Sequence, residues 1–374
     1  MTSKLAIIYG EEFLRYDFGD EHPLTQMRVK LAVDLMAALG LIRPPDVAVV
    51  PPRAASVEEA LLFHDAAYVD FVANACAAGT GWLDEVRDTP AFRGGLEASL
   101  YVVGGSLRAV DLVLGGEVDH AFNLGGGLHH AYPNQAAGFC ILNDVAVAIS
   151  ALKHRGFQRI MYIDIDAHQG DGVMYSFYQD GGVLNVDFHE DGKYLFPGRG
   201  HLPELGEGAG RNYKINVPFP PYAGDNSYTF AFRELVPALA RAYRPEIILM
   251  QCGVDTHASD PLTDMHLSHN SYVTVMDLVH RLAHEVCGGR LVMFGGGGYN
   301  PASVAIGWTH MVCTVAGITT PTTVPEAWRE QFQRVTGEQA PLTLSEGTLD
   351  DHTFREMWEK VAWLKRRLGL GQEG

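Results

Sequence analysis

A chain of 374 residues with 47% hydrophobic and 20% charged residues has the composition of a packed globular protein, not of a disordered one. Its 28 Lys and Arg against 45 Asp and Glu leave a formal net charge of -17, which argues against a general nucleic-acid binder, because neutralising phosphates needs a basic surface. No stretch approaches the roughly 20 apolar residues that span a bilayer, and five scattered cysteines (Cys76, Cys140, Cys252, Cys287, Cys313) with no CxxC pair and no signal-peptide-like start fit a reducing cytoplasm.

Along the chain, short apolar runs alternate with longer amphipathic stretches. Ala6 to Tyr9 reads as a first strand. Thr25 to Leu39 has helical spacing and ends at Gly40, a glycine suited to the position after a helix. Val57 to Phe63 is helix-like, with Ser56 as its N-cap. Leu96 to Leu114 is a long helix closed by Gly115-Gly116. Ala121 to Leu124 is a strand and Leu142 to Lys153 a helix. Ile160 to Ile165, Val183 to Phe188, Ile247 to Gln251 and Leu291 to Phe294 are apolar runs of the buried-strand kind. Helical stretches separate most of them, so the expected architecture is α/β, a mainly parallel sheet with helices on both faces. The Gly- and Pro-rich segment Pro197 to Asp225 is expected to be one long functional loop. No repeat or linker divides the chain. Residues 1–374 are read as one domain, with a core at about 5–315 and a helical appendage at 320–374. The appendage contains an amphipathic helix, Phe354 to Leu368, that packs on the core or on a second subunit, which leaves an oligomer open.

Ligands of open parallel sheets bind at the carboxyl ends of the strands. Four predicted strands run there into unusual residues: Gly125-Gly126-Gly127-Leu128-His129-His130; Asp164-Ile165-Asp166-Ala167-His168-Gln169-Gly170-Asp171; Gly253-Val254-Asp255; and Gly295 to Gly298 followed by Tyr299. All four would face one crevice. Asp164, Asp166 and His168 alternate and so face one way in extended chain. Two carboxylates and an imidazole suit zinc, iron, manganese or cobalt, and Asp255 would complete a set with a position left for water. Alone, Asp-x-Asp-x-His reads equally as solvated acids beside a chance histidine; joined to the other strand ends, the site reading prevails. Paired histidines can take a proton from water and return it to a leaving amine. The four glycines are not a phosphate loop, since no Gly-Lys-Ser/Thr follows; a Tyr held on such a turn could donate to a developing oxyanion. The other histidines add no further signal.

Taken together, His129-His130, Asp164-x-Asp166-x-His168-x-x-Asp171, Asp255 and Gly295-Gly296-Gly297-Gly298-Tyr299 resemble the zinc-dependent histone deacetylase family, in particular its bacterial acetoin-utilisation-type branch. The resemblance spans roughly residues 5 to 315 in matching order, with Asn123 to Asn143 matching almost as a block. It implies the arginase-like three-layer α/β/α fold. It implies zinc, with ferrous iron as the alternative, on Asp166, His168 and Asp255, and a structural K+ or Na+ near Asp164, Asp166 and Asp187. His130 matches the general base and acid, His129 its electrostatic partner, and Asp171 and Asp164 the carboxylates that orient them. Tyr299 matches the residue that polarises the acetyl carbonyl. Phe139 and Phe196 match the walls of a lysine tunnel and Gly138 the acceptor of the substrate amide N–H. Asp88 matches the holder of the substrate backbone, and Arg28 the arginine lining an internal cavity. Gln169 stands where many members carry a second histidine, and Asp187 where eukaryotic class I members carry a serine.

The implied function is zinc-dependent hydrolysis of N-ε-acetyl-lysine in proteins or peptides, releasing acetate, with no membrane or nucleic-acid partner. The alternative is an acetylpolyamine or other small acyl-amide deacetylase. Such enzymes place an acid at the pocket mouth, where this chain has Leu262; Glu204 or Glu207 could supply one from a loop. Two further readings are a non-catalytic acetyl-lysine binder and a binuclear manganese ureohydrolase. The intact ligand and histidine set argues against the first, and the lack of an Asp-x-Asp companion at Asp255 against the second.

Overall fold

The computed structural model describes residues 4–349 and 351–370. Eight strands among them form one sheet: β1 (Leu5–Ile8), β2 (Val47–Val50), β3 (His120–Asn123), β4 (Ile160–Asp164), β5 (Val183–Glu190), β6 (Lys214–Phe219), β7 (Ile247–Gln251) and β8 (Leu291–Phe294). Their order is β2-β1-β3-β8-β7-β4-β5-β6, and every pairing is parallel. All but β2, an edge strand, are buried along their whole length, as a sheet covered on both faces requires. The covering helices are α1 (Met27–Ala38), α2 (Val57–Ala60), α3 (Ala66–Ala78), α4 (Gly95–Leu114), α5 (Asp144–His154), α6 (Asp171–Ser176), α7 (Asp225–Tyr243), α8 (His269–Cys287), α9 (Pro301–Ala316), α10 (Glu326–Thr336) and α11 (Phe354–Leu368). α1, α9, α8 and α7 pack side by side in one layer, and α2 to α5 form the other. The fold is the three-layer α/β/α arrangement.

Local chemistry explains several boundaries. Ser56 accepts from Glu59 N while Glu59 accepts from Ser56 N, a capping box that starts α2. Asn300 accepts from Ala302 and Ser303 N, each at 3.1 Å, and Pro301 needs no partner at the first helical position, so α9 begins two residues after Tyr299.

Two expectations need correction. Pro197 to Asp225 is not one loop, because it contains β6. The strand is hard to see because Pro218 interrupts it, yet a proline is tolerated on an edge strand with no neighbour to receive its missing N–H. β2, only four residues long, also lies outside the predicted strands. The segment after residue 320 packs on its own chain: Trp328 Nε1 donates to Leu31 O at 2.8 Å. Met357, Val361 and Leu364 are buried where α11 meets α7, each worth about 1.5–3 kcal/mol of apolar burial. None of the described helices is long and apolar enough to cross a membrane.

Candidate active site and metal centre

Because β3, β8, β7 and β4 are neighbours in that order, their carboxyl ends open into one crevice. The sheet thereby brings together segments that are over 170 residues apart in sequence, from Leu124 to Tyr299. Glycines let the loops meet: a Cβ on Gly297 would lie 2.1 Å from Asp255 Oδ2, and Gly298, at φ +131°, holds a backbone angle that side chains rarely adopt.

Asp166, His168 and Asp255 converge. His168 Nδ1 lies 3.1 Å from Asp166 Oδ1 and 3.0 Å from Asp255 Oδ2, and one ligand atom from each of the three residues falls within 4.8 Å of the others. Each carboxylate commits one oxygen to anchoring donors. Gln251 Nε2 and Gly297 N donate to Asp166 Oδ2 at 2.6 and 2.7 Å, and Ala167 N donates to Asp255 Oδ1 at 2.7 Å. The other oxygens turn toward His168. Two buried carboxylates this close repel one another, and burial together with the Asp166 charge pushes Asp255 up to about 8. A divalent cation relieves that repulsion, and two oxygens with one imidazole nitrogen are a donor set that fits it.

The two histidines sit beside this set and are tuned in opposite directions. His129 Nδ1 donates to Asp164 Oδ2 at 2.8 Å, and His130 Nδ1 donates to Asp171 Oδ1 at 2.8 Å. Their Nε2 atoms are 3.0 Å apart. Burial opposes a charge on His129, but Asp164 and Asp166 outweigh it and hold the ring up at about 10. Burial and the His129 charge push His130 down to about 4, against the pull of Asp171. Near neutral pH the pair is therefore one imidazolium and one neutral base. Asp164 also accepts from the Tyr162 hydroxyl at 2.6 Å.

Two aromatic rings meet this set. The Phe196 ring lies edge-on to His130, with centroids 5.1 Å apart, and Phe139 lies edge-on to Tyr299 at 5.9 Å. Gly138 and Phe139 both have positive φ. Thr89 Oγ1 accepts from Phe139 N at 3.1 Å and donates to Asp88 Oδ1 at 2.8 Å, so the half-buried Asp88 is tied to the Phe139 backbone. Leu262 is 36% exposed at its loop. Arg28 is buried, donates to Gly298 O at 2.8 Å and lies over Trp308; it shares a cavity lining with His129, His130, Asp166 and Tyr299. Gln169 is buried beside Met174 and Asn216, away from the Asp166 and Asp255 carboxylates. Asp187 is committed to His189 Nδ1 and Gly170 N.

Three supporting residues escaped the sequence reading. Gln251 anchors Asp166. Asp144 accepts from Gly127 N at 3.0 Å and Leu128 N at 2.8 Å, fixing the loop that ends in the histidine pair. Asp260 accepts from Leu262 N at 3.0 Å and Tyr299 N at 2.7 Å, joining the Leu262 loop to the tyrosine turn. Position beside the recognised residues was the only signal for Asp260. Asp260→Ala is expected to lower kcat about 10- to 100-fold, because Tyr299 loses its backbone anchor and small misplacements are costly. The double variant with Tyr299→Phe should be no slower than Tyr299→Phe alone, and additive losses would sink this coupling.

Comparison with known proteins identifies the family and agrees with the fold. The histone deacetylase domain family matches residues 22–315. The chain is 39% identical over 346 aligned positions to the acetoin utilization protein AcuC of Bacillus subtilis, covering 91% of this chain and 88% of that protein. It is 36% identical over 381 aligned positions to the AcuC protein of Staphylococcus aureus strain MSSA476, covering 99% and 96%. Two solved structures superpose closely, each at 29% identity and covering 97% of this chain and 100% of the other. One is an HDAC homolog complexed with SAHA (TM-score 0.86), and the other is an HDAC homolog from Aquifex aeolicus (TM-score 0.85).

Proposed function

The chain belongs to the histone deacetylase family and is a deacetylase, a hydrolase, and from that premise we propose that it removes the acetyl group from N-ε-acetyl-lysine of proteins or peptides. The feature that supports this reading is the grouping of the Phe196 ring against His130 and the Phe139 ring against Tyr299, beside the His129–His130 pair and the Asp166, His168 and Asp255 set. Apolar rings beside the site suit the methylenes of a lysine side chain. The whole chain acts as one catalytic unit, with the site in the core at about 5–315.

Asp166, His168 and Asp255 would hold the divalent metal on which the family generally depends, zinc by this donor set, with ferrous iron as the alternative. When bound, the metal supplies a Lewis acid and lowers the pKa of water. His130, neutral and oriented by Asp171, takes the proton of the attacking water and gives it to the departing lysine amine. His129, held cationic by Asp164, stabilises negative charge nearby and keeps His130 a free base. The Tyr299 hydroxyl donates to the carbonyl oxygen as charge grows on it. The Gly138 carbonyl accepts the substrate amide N–H, Asp88 holds the substrate backbone at the rim, and Arg28 lines the cavity behind. A K+ or Na+ beside Asp164, Asp166 and Asp187 belongs to the same proposal, since Asp164 and Asp187 are partners on adjacent strands. So does a cytoplasmic location, which the free and buried state of all five cysteines supports.

The polyamine alternative needs an acid at the mouth. Leu262 supplies none, and Glu204 is engaged by the Tyr175 hydroxyl and His201 N. The test compares a fluorogenic acetyl-lysine peptide with N-acetylputrescine. Peptide turnover is expected to disappear on chelation and return with zinc or ferrous iron. Turnover of N-acetylputrescine alone would overturn the substrate assignment, and activity that survives complete metal removal would overturn the mechanism.

A further inference from the structure

At the opposite end of the sheet from the active site, three histidines outside the motifs form a second cluster. His120 opens β3, and His280 and His284 lie one turn apart on α8, so the helix presents them on one face. Their rings meet pairwise with centroids 4.8, 5.2 and 4.9 Å apart, every pair close to edge-on. One nitrogen from each ring falls within 4.8 Å of the others. His280 Nε2 and His284 Nε2 are 3.2 Å apart. Two nitrogens that each bond a tetrahedral zinc at about 2.0–2.1 Å lie about 3.3 Å from one another, so this spacing is already that of a ligand pair. His120 is fully buried; the Gly289 backbone approaches its ring, but neither ring nitrogen makes a well-formed hydrogen bond. A buried imidazole in that condition is costly unless something else uses its lone pair.

We propose that His120, His280 and His284 form a second metal site, which takes a divalent transition ion of the zinc, cobalt, nickel or copper class and ties the start of β3 to α8. Three imidazoles are borderline nitrogen donors, which favour these ions over magnesium or calcium. The site is separate from Asp166, His168 and Asp255 and takes no part in the hydrolysis.

The test is zinc uptake by the tag-free full chain in competition with a chromophoric chelator, wild type beside His280→Asn and His284→Asn. Wild type is expected to bind about one equivalent more than either variant, with deacetylase turnover equal within about twofold. Because the difference between proteins is read, the occupancy of the Asp166 centre cancels. Equal uptake by all three proteins overturns the site. A second readout uses copper(II) paramagnetic resonance of the same proteins: a nitrogen-ligated signal that weakens in both variants supports the site, and an unchanged spectrum overturns it.

Discussion

Replacing His130 by alanine is expected to lower kcat/KM by about 10²–10⁴-fold, the usual range for loss of a positioned proton-transfer group. His130 is the neutral member of the pair and has its orienting carboxylate, Asp171, at 2.8 Å. Its low pKa also sets the acid side of the pH profile. A base must be unprotonated, so kcat/KM should hold through pH 6 and fall only as pH drops through about 4. The charge on His129 lowers the pKa of His130. His129→Asn removes that charge, so the acid limb should move to higher pH, together with a loss of rate from the missing cation. A pH–rate profile of the three proteins decides this. A limb that stays in place or moves to lower pH in His129→Asn would mean that the two imidazoles are not coupled as described. A His130→Ala protein within tenfold of wild type would mean that another group moves the proton.

Tyr299→Phe should lower kcat about 10²–10³-fold while KM changes little. The substitution removes one hydroxyl and keeps the ring that meets Phe139 and His168. Burial, with Asp255 and Asp166 nearby, pushes the phenol well above its ordinary range, so it is an O–H donor at every working pH. A donor aimed where charge develops stabilises the transition state more than the bound substrate, which is why the loss falls on kcat. The expected loss corresponds to about 2.7–4 kcal/mol of transition-state stabilisation. A drop of less than about tenfold, or a loss confined to KM, would remove Tyr299 from the oxyanion role.

The parallel architecture was legible because fully buried strands read as unbroken apolar runs, Ile160 to Ile165 and Ile247 to Gln251 among them. β6 was not, because Lys214, Asn216 and Pro218 interrupt its pattern. Lys214 is tolerated there since its Nζ donates to the carbonyls of Asp180 and Tyr213. Spacing along the first helix does not show that Arg28 is buried; its burial depends on α1 packing against α9, which brings Gly298 O and the Trp308 ring to it.

By itself the sequence singled out the candidate site residues, because metal ligands, paired imidazoles and glycine turns need particular side chains at short, countable spacings, as in Asp166-x-His168 and His129-His130. Tertiary structure alone decided what those side chains experience. The opposite tuning of His129 and His130 arises from burial, from Asp164 and Asp166, which hold His129 charged from β4 and the loop beyond it, and from that charge, which lowers His130. Asp260 supports Tyr299 across 39 positions of sequence, and His120 meets His280 and His284 only because β3 and α8 lie against one another. Electrostatic and packing energies depend on distance through space and on the exclusion of water, and neither quantity is carried by spacing along the chain.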